Sequence, residues 1–217
     1  MKKIINTQEL INLYKKGLFP MANSSMDEDI NFYLPIKRFI IPINSFHIPK
    51  KLFTQYKKKK FNFTINKEFI TVINSCAYRR KPNQDTWINE IIKDTYIQLF
   101  KEGYGKSIEC FYDKELVGGL YGIHIGGAFF GESMFSTITN TSKLCLMFLI
   151  SILKKNNFIL LDSQFYNQHL TQFGAYEILN KEYQEILKKS LKKNCEFPSS
   201  FSIQKSILTL QLLSHKS

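Results

Sequence analysis

The clearest pattern in the chain is an apolar repeat between residues 88 and 100. Ile88, Ile91, Ile92, Thr95, Tyr96, Leu99 and Phe100 recur at i, i+3, i+4 and i+7, and Gly103 follows as a stop. That spacing predicts an amphipathic helix. A first helix is predicted from Thr7, as its cap, to Lys16, with Leu10, Ile11, Leu13 and Tyr14 on its apolar side and Gly17 as its end. Residues 22–29 lack apolar periodicity and read as a loop leading to the short aromatic segment Phe32-Tyr33-Leu34-Pro35. Strands are predicted over 39–43 and 61–65, helices over 49–56 and 67–75, and a polar loop over 78–85.

Three strand-like runs follow, over 107–112, 116–125 and 128–135, joined by turns at Asp113-Lys114 and Gly126-Gly127. They predict an antiparallel meander. Asn140 or Thr141 caps a helix to Lys155 that is apolar nearly all round, hence buried, and a strand over 158–165 comes next. A helix pair, a meander, a buried helix and a further strand describe a mixed α+β fold. The expected architecture is a small N-terminal subdomain (1–38) and an acetyltransferase-like (GNAT-like) domain (39–217) with a mainly antiparallel central sheet.

With 44% hydrophobic residues and 19 Phe among 217, the chain has the composition of a folded protein. Charge adds a partner class: 30 Lys and Arg against 18 Asp and Glu give a net +12, which favours a polyanion through counterion release. Nucleic acid leads and an anionic membrane comes second, while a lysine-rich surface that serves only solubility accounts for the charge equally well. Cys76, Cys110, Cys145 and Cys195 are widely spaced, without a CxxC pair, so neither a zinc site nor a redox motif is expected. The first residues lack a signal-peptide core and no apolar run reaches a membrane span, so a cytoplasmic protein without a membrane partner is expected.

Candidate chemistry lies in two runs. Leu160-Leu161-Asp162-Ser163-Gln164-Phe165 puts Asp162 and Gln164 at i and i+2, on one face of an otherwise apolar strand, where burial is costly unless each is hydrogen-bonded. They form either a structural network or an acceptor pair for a reacting amine. Phe129-Phe130-Gly131-Glu132-Ser133-Met134-Phe135-Ser136 sets Glu132 among aromatics, where the carboxylate either holds an amine or anchors a loop. Trp87, the single tryptophan, stands beside Arg79, Arg80 and Lys81, a combination that suits stacking on an unpaired nucleobase with phosphate contacts nearby; a core anchor is an equally ordinary role for it.

The fragments Tyr14-Lys15-Lys16-Gly17-Leu18-Phe19-Pro20, Thr86-Trp87-Ile88, Leu116-Val117-Gly118-Gly119-Leu120-Tyr121-Gly122, Gly131-Glu132-Ser133-Met134-Phe135-Ser136, Ser142-Lys143 and Asp162-Ser163-Gln164 resemble the leucyl/phenylalanyl-tRNA-protein transferase family in order and spacing. His169 and Gly174-Ala175-Tyr176-Glu177-Ile178 extend the resemblance to roughly residues 7–190. It implies transfer of Leu or Phe, and in some cases Met, from aminoacyl-tRNA to proteins beginning with Arg or Lys, which creates a degradation signal. No cofactor or metal is implied. By the same resemblance Asp162 and Gln164 form a catalytic relay with Glu132 near the reacting groups. Leu120, Phe129, Met134, Ser136, Leu149, Leu153 and Leu161 line the aminoacyl pocket, and Trp87, Tyr14 and Arg80 meet the terminal adenosine or a phosphate. In the relay so envisaged the Gln164 carbonyl, polarised by Asp162, accepts a proton from the attacking amine. Strict alternation would set Phe130, not Phe129, on the face of Met134 and Ser136, so a bulge near Gly131 is expected.

Two other classes stay open on the residues alone. An acyl-CoA-dependent acetyltransferase would share the fold, but the connection Ser136-Thr137-Ile138-Thr139-Asn140-Thr141 has no glycine to cradle a pyrophosphate. A non-catalytic RNA-binding protein would use the charge and Trp87 while Asp162 and Gln164 only stabilise the core.

Overall fold

The structure is a computed structural model that describes residues 4–58, 60–78 and 85–214. Helix α1 (Thr7–Lys15) is capped by Asn6, one residue before the expected Thr7, whose side chain accepts the Glu9 N–H at 2.9 Å. Gly17 ends it in the left-handed region, with φ +86. The expected loop region instead frames a hairpin, in which β1 (Phe19–Ala22) pairs antiparallel with β2 (Ile30–Tyr33). Strands of four residues are too short for alternation to announce them.

Strand β3 (Lys37–Ile40) begins two residues earlier than expected, so the expected boundary between residues 38 and 39 falls inside it. Next come α2 (Lys50–Lys57), β4 (Asn62–Ile65), α3 (Phe69–Ala77) and α4 (Glu90–Lys101). The last is the strongly periodic helix, capped by Asn89, which accepts the Ile92 N–H at 2.8 Å. The meander is β5 (Gly105–Tyr112), β6 (Glu115–Ile125) and β7 (Ala128–Ser136). Helix α5 (Thr141–Lys155), buried continuously from Leu144 to Leu153, crosses over to β8 (Leu160–Asp162). The chain closes with α6 (Gln168–Thr171), β9 (Tyr176–Leu179), α7 (Asn180–Leu191) and α8 (Ile203–Ser214).

Seven strands form one mixed sheet in the order β4-β5-β6-β7-β8-β3-β9, antiparallel throughout except for the β7–β8 pair that α5 connects. Hydrophobic clusters pack on both sheet faces. Leu120, Phe129 and Leu161 join α2, α5 and α8 on one side, while Tyr121, Phe130 and Leu160 join α1, α3, α4 and α7 on the other. Among the described residues no helix is long and apolar enough to cross a membrane.

The expected bulge is present. The β6–β7 register passes from Tyr121↔Ser133 to Gly122↔Gly131, leaving Glu132 as the extra residue and putting Phe129 on the face of Met134. Gly122 makes this possible, because a Cβ there would stand 2.2 Å from the Phe130 carbonyl oxygen. Gly131, also in the bulge, has room: a Cβ would meet its nearest neighbour at 3.4 Å. Gly122→Ala is therefore expected to lower unfolding free energy by about 1–3 kcal/mol or more, and Gly131→Ala by less than about 1 kcal/mol. Urea denaturation of the two variants checks the contrast; equal costs would mean that Gly122 is not what accommodates the bulge.

Candidate active site

Strands β7 and β8 pair over only three residues, from Ala128↔Leu160 to Phe130↔Asp162. Beyond that point β8 ends while β7 bulges and continues, so the sheet opens at its parallel seam. The bulge residue Glu132 borders this gap with its carboxylate enclosed by protein. Its Oε1 accepts the Tyr14 hydroxyl at 2.7 Å and the Gln164 Nε2 amide at 3.0 Å, and its Oε2 accepts the Tyr96 hydroxyl at 2.9 Å. The Tyr14 and Tyr96 hydroxyl oxygens also lie within hydrogen-bonding distance of each other, a third contact that the two phenol protons cannot supply unless Glu132 carries a proton of its own. Burial pushes Glu132 up to about 7; the bonds from Tyr14, Tyr96 and Gln164 pull it down less strongly, and the charge of Asp162 adds to the rise. Such a carboxylate exchanges a proton near neutral pH.

Asp162 sits differently. It is 0% exposed and paired with Arg38, itself 1% exposed, whose Nε donates to Oδ1 at 2.8 Å and whose Nη2 donates to Oδ2 at 2.6 Å. The Tyr183 hydroxyl (2.7 Å) and the Gln164 backbone N–H (2.9 Å) complete its shell. Burial opposes the charge on Arg38, but the attraction and hydrogen bonds of Asp162 outweigh it and hold the guanidinium proton more tightly than usual. The guanidinium is also sandwiched over the Phe19 and Tyr183 rings, at 4.5 and 4.6 Å, and Nη1 donates to the Gly17 carbonyl at 2.9 Å.

Two expectations change here. The strand predicted over 158–165 is only Leu160–Asp162, because Gln164 takes the left-handed backbone (φ 66) just past its end. Asp162 and Gln164 therefore do not share a strand face, and Asp162 grips the Gln164 backbone rather than polarising its side chain. Glu132 is the carboxylate that engages the Gln164 amide. The Gln164 Oε1 has no protein donor among the described hydrogen bonds and is left to accept.

The gap continues into a cavity of about 290 Å³, lined by Leu120, Phe129, Met134, Leu149 and Leu161 of the expected pocket, with Trp87, Tyr121 and Glu132 on its other side. Ser136 lines a larger neighbouring cavity of about 700 Å³, which shares Met134, Leu146, Asn167 and Leu170 with the first and adds Asn140, Ser142, Lys143 and His169. Leu153 is fully buried in the α5 core and lines neither cavity. Tyr14 has no exposed surface, so it cannot meet a nucleotide directly; its hydroxyl is spent on Glu132. Trp87 stands half-buried at the cavity wall. Arg80, with Arg79 and Lys81, lies outside the described residues.

Arg38, Tyr96 and Tyr183 escaped the sequence reading. Tyr96 and Tyr183 carry only helical periodicity, and Arg38 is 124 residues from the aspartate it neutralises. The available signal was indirect, since a buried Asp162 demands a buried cation. Removing that cation should be severe: Arg38→Ala is expected to cost about 3–5 kcal/mol of stability by stranding Asp162. Lys37 makes an exposed pair with Glu177 at 3.5 Å, and Lys37→Ala should cost no more than about 1 kcal/mol. Chemical denaturation of both variants distinguishes a buried anchor from a surface pair.

A family model described as leucyl/phenylalanyl-tRNA protein transferase matches residues 40–188, a span that holds Trp87, Glu132, Asp162, Gln164 and Tyr183. The leucyl/phenylalanyl-tRNA–protein transferase of Caulobacter vibrioides is 40% identical over 217 residues, covering 100% of both chains. Those of Zymomonas mobilis (41% identical, 88% of this chain and 71% of that one) and Hyphomonas neptunium (40%, 88% and 74%) carry the same name. With a family model over more than half its length and a full-length relative at this identity, the chain belongs to the leucyl/phenylalanyl-tRNA–protein transferase family.

Proposed function

We propose that the chain transfers leucine or phenylalanine from aminoacyl-tRNA to the α-amino group of proteins that begin with Arg or Lys, marking them for degradation. One observation carries the reading: the cavity behind the β7–β8 gap has a wall of Leu120, Phe129, Leu149 and Leu161 and reaches Glu132, a carboxylate poised near neutrality that accepts the Gln164 amide. Leu120, Phe129, Leu149 and Leu161 offer the esterified side chain an apolar wall without polar selectivity, so Leu, Phe and Met differ there by only about 1–3 kcal/mol.

An aminoacyl ester is already activated, so catalysis needs chiefly alignment and a proton path. In our reading the α-amine binds between Glu132 and the Gln164 Oε1. Its nitrogen attacks the ester carbonyl, the C–O bond to the ribose breaks, and the amine proton passes through Glu132 to the departing hydroxyl oxygen. Asp162 does not take the proton. Locked to Arg38, it orients Gln164. The larger cavity receives the terminal adenosine, with Trp87 and Lys143 at its approaches.

The same geometry supports a fold reading. A parallel pair that separates after three residues, at the seam where the cavity opens, suits an acetyltransferase-like domain over 39–217. The separate β1–β2 hairpin suits a small N-terminal unit, joined to the catalytic sheet through Tyr14 and ending before β3 rather than between residues 38 and 39.

Labelled Phe-tRNA should mark a peptide beginning with Arg and leave one beginning with Ala unmarked; failure to label the Arg peptide rejects the assignment. Glu132→Gln should lower kcat about 10²–10⁴-fold. In the wild type, kcat should rise with pH through a limb near 7 that vanishes in Glu132→Gln, leaving the amine's own limb near pH ~8. Stability has the opposite slope. The fold holds the Glu132 proton between its usual 4.5 and about 7 while the unfolded chain releases it, so Glu132 ionisation makes stability fall as pH rises through that window. Gln164→Ala should abolish transfer in a normally stable protein, whereas Asp162→Ala should lose stability together with activity because it strands Arg38.

A further inference from the structure

Four tyrosines surround the two carboxylates of the site, and three of their hydroxyls are committed. Tyr14 and Tyr96 donate to Glu132, and Tyr183 donates to Asp162. The fourth, Tyr121, is 0% exposed, and its hydroxyl has no hydrogen-bond partner, the one buried side-chain N or O atom in that condition among the described residues. Natural cores rarely leave such a group unmade, because an unsatisfied buried hydroxyl sacrifices the hydrogen bonds it had in water. Its position gives the vacancy a meaning. Tyr121 lies where the β6–β7 register breaks, lines the 290 Å³ cavity together with Glu132, and rests its ring edge-on against Tyr96 at 5.6 Å. The Arg38 Nε, Nη1 and Nη2 and the Gln164 Nε2 each already donate to a protein group, whereas the Tyr121 hydroxyl donates to none.

We propose that the Tyr121 hydroxyl is the donor that stabilises the oxyanion formed when the amine attacks the ester, making Tyr121 a catalytic residue. The inference rests on the aminoacyl-transfer reading above. As the C–N bond forms, the carbonyl π pair moves onto oxygen, and the resulting charge needs a preorganised donor in a site that excludes water. When the intermediate collapses, the pair returns, the C–O bond to the ribose breaks, and the hydrogen bond from Tyr121 relaxes without net proton transfer. Burial, with the charge of Glu132 next, raises the phenol's pKa well above its ordinary value, so it stays protonated and able to donate across the working range. Because the hydroxyl bonds no other group of the protein, its contribution belongs to the transition state and not to the packing of the fold.

Tyr121→Phe tests this with readouts that separate. The variant should keep or raise the wild-type melting temperature, since it deletes no hydrogen bond, while kcat falls about 10²–10³-fold and KM for both substrates changes little. A phosphonate analogue of the phenylalanyl-adenosine ester, which mimics the tetrahedral intermediate, should bind the variant weaker by about the factor lost in kcat. The amide-linked ground-state analogue should bind both proteins alike. Wild-type kcat in Tyr121→Phe overturns the proposal, and so does a loss of stability that accounts for the loss of activity, or equal weakening of both analogues. If wild-type protein itself fails to label the Arg peptide, the transferase reading has failed instead.

Discussion

The ion pair between Arg38 and Asp162 is the constraint on which the rest of the site depends. It joins β3 to β8 in the middle of the sheet, and each remaining hydrogen-bonding group of the pair is used to hold something else: Gly17 at the end of α1, Tyr183 on α7, and the backbone of Gln164. Two charges buried this deeply survive because the geometry is forked and all three guanidinium nitrogens and both carboxylate oxygens are hydrogen-bonded. That saturation decides what Asp162 can do. A carboxylate with four donors on it orients its neighbours; it has little left to offer a substrate.

In the proposed mechanism the chemistry falls to Glu132, and its poise comes from a defect in the sheet. The bulge in β7 leaves Glu132 without a strand partner and turns it toward Tyr14 and Tyr96, while Gly122 provides the space for the displaced backbone. The two carboxylates thus differ in environment, one neutralised by a guanidinium and the other held by neutral donors. This is the arrangement by which a protein pushes two like groups toward different protonation behaviour. The cavity lies where strands with parallel pairing part, so in the proposed mechanism side-chain recognition and proton transfer meet at one seam.

Much of this was legible in the chain. The periodicity of residues 88–100, the three runs of the meander and the all-apolar helix before residue 155 each report a local choice repeated over many residues, and each element formed close to where it was expected. The bulge was legible through the resemblance, which put Phe129 and Met134 in one pocket, a placement that requires one added residue. The hairpin of β1 and β2 was not, since four residues per strand carry too little pattern. Nor was the early end of β8, which follows from the left-handed turn at Gln164 that Asp162 stabilises.

By itself, then, the sequence determined the strongly patterned elements, the family and the residue types available for chemistry, because propensity and periodicity are properties of neighbours in the chain. Only the tertiary structure decided how those residues divide the work. Tyr14 is buried against Glu132 and not presented to nucleic acid, Asp162 belongs to Arg38, and Tyr121, one of the residues lining the cavity, has a buried hydroxyl without a protein partner. These outcomes depend on contacts between residues about a hundred positions apart, such as 14 with 132 and 38 with 162. Burial and hydrogen-bond competition are settled in space, where no local pattern reaches.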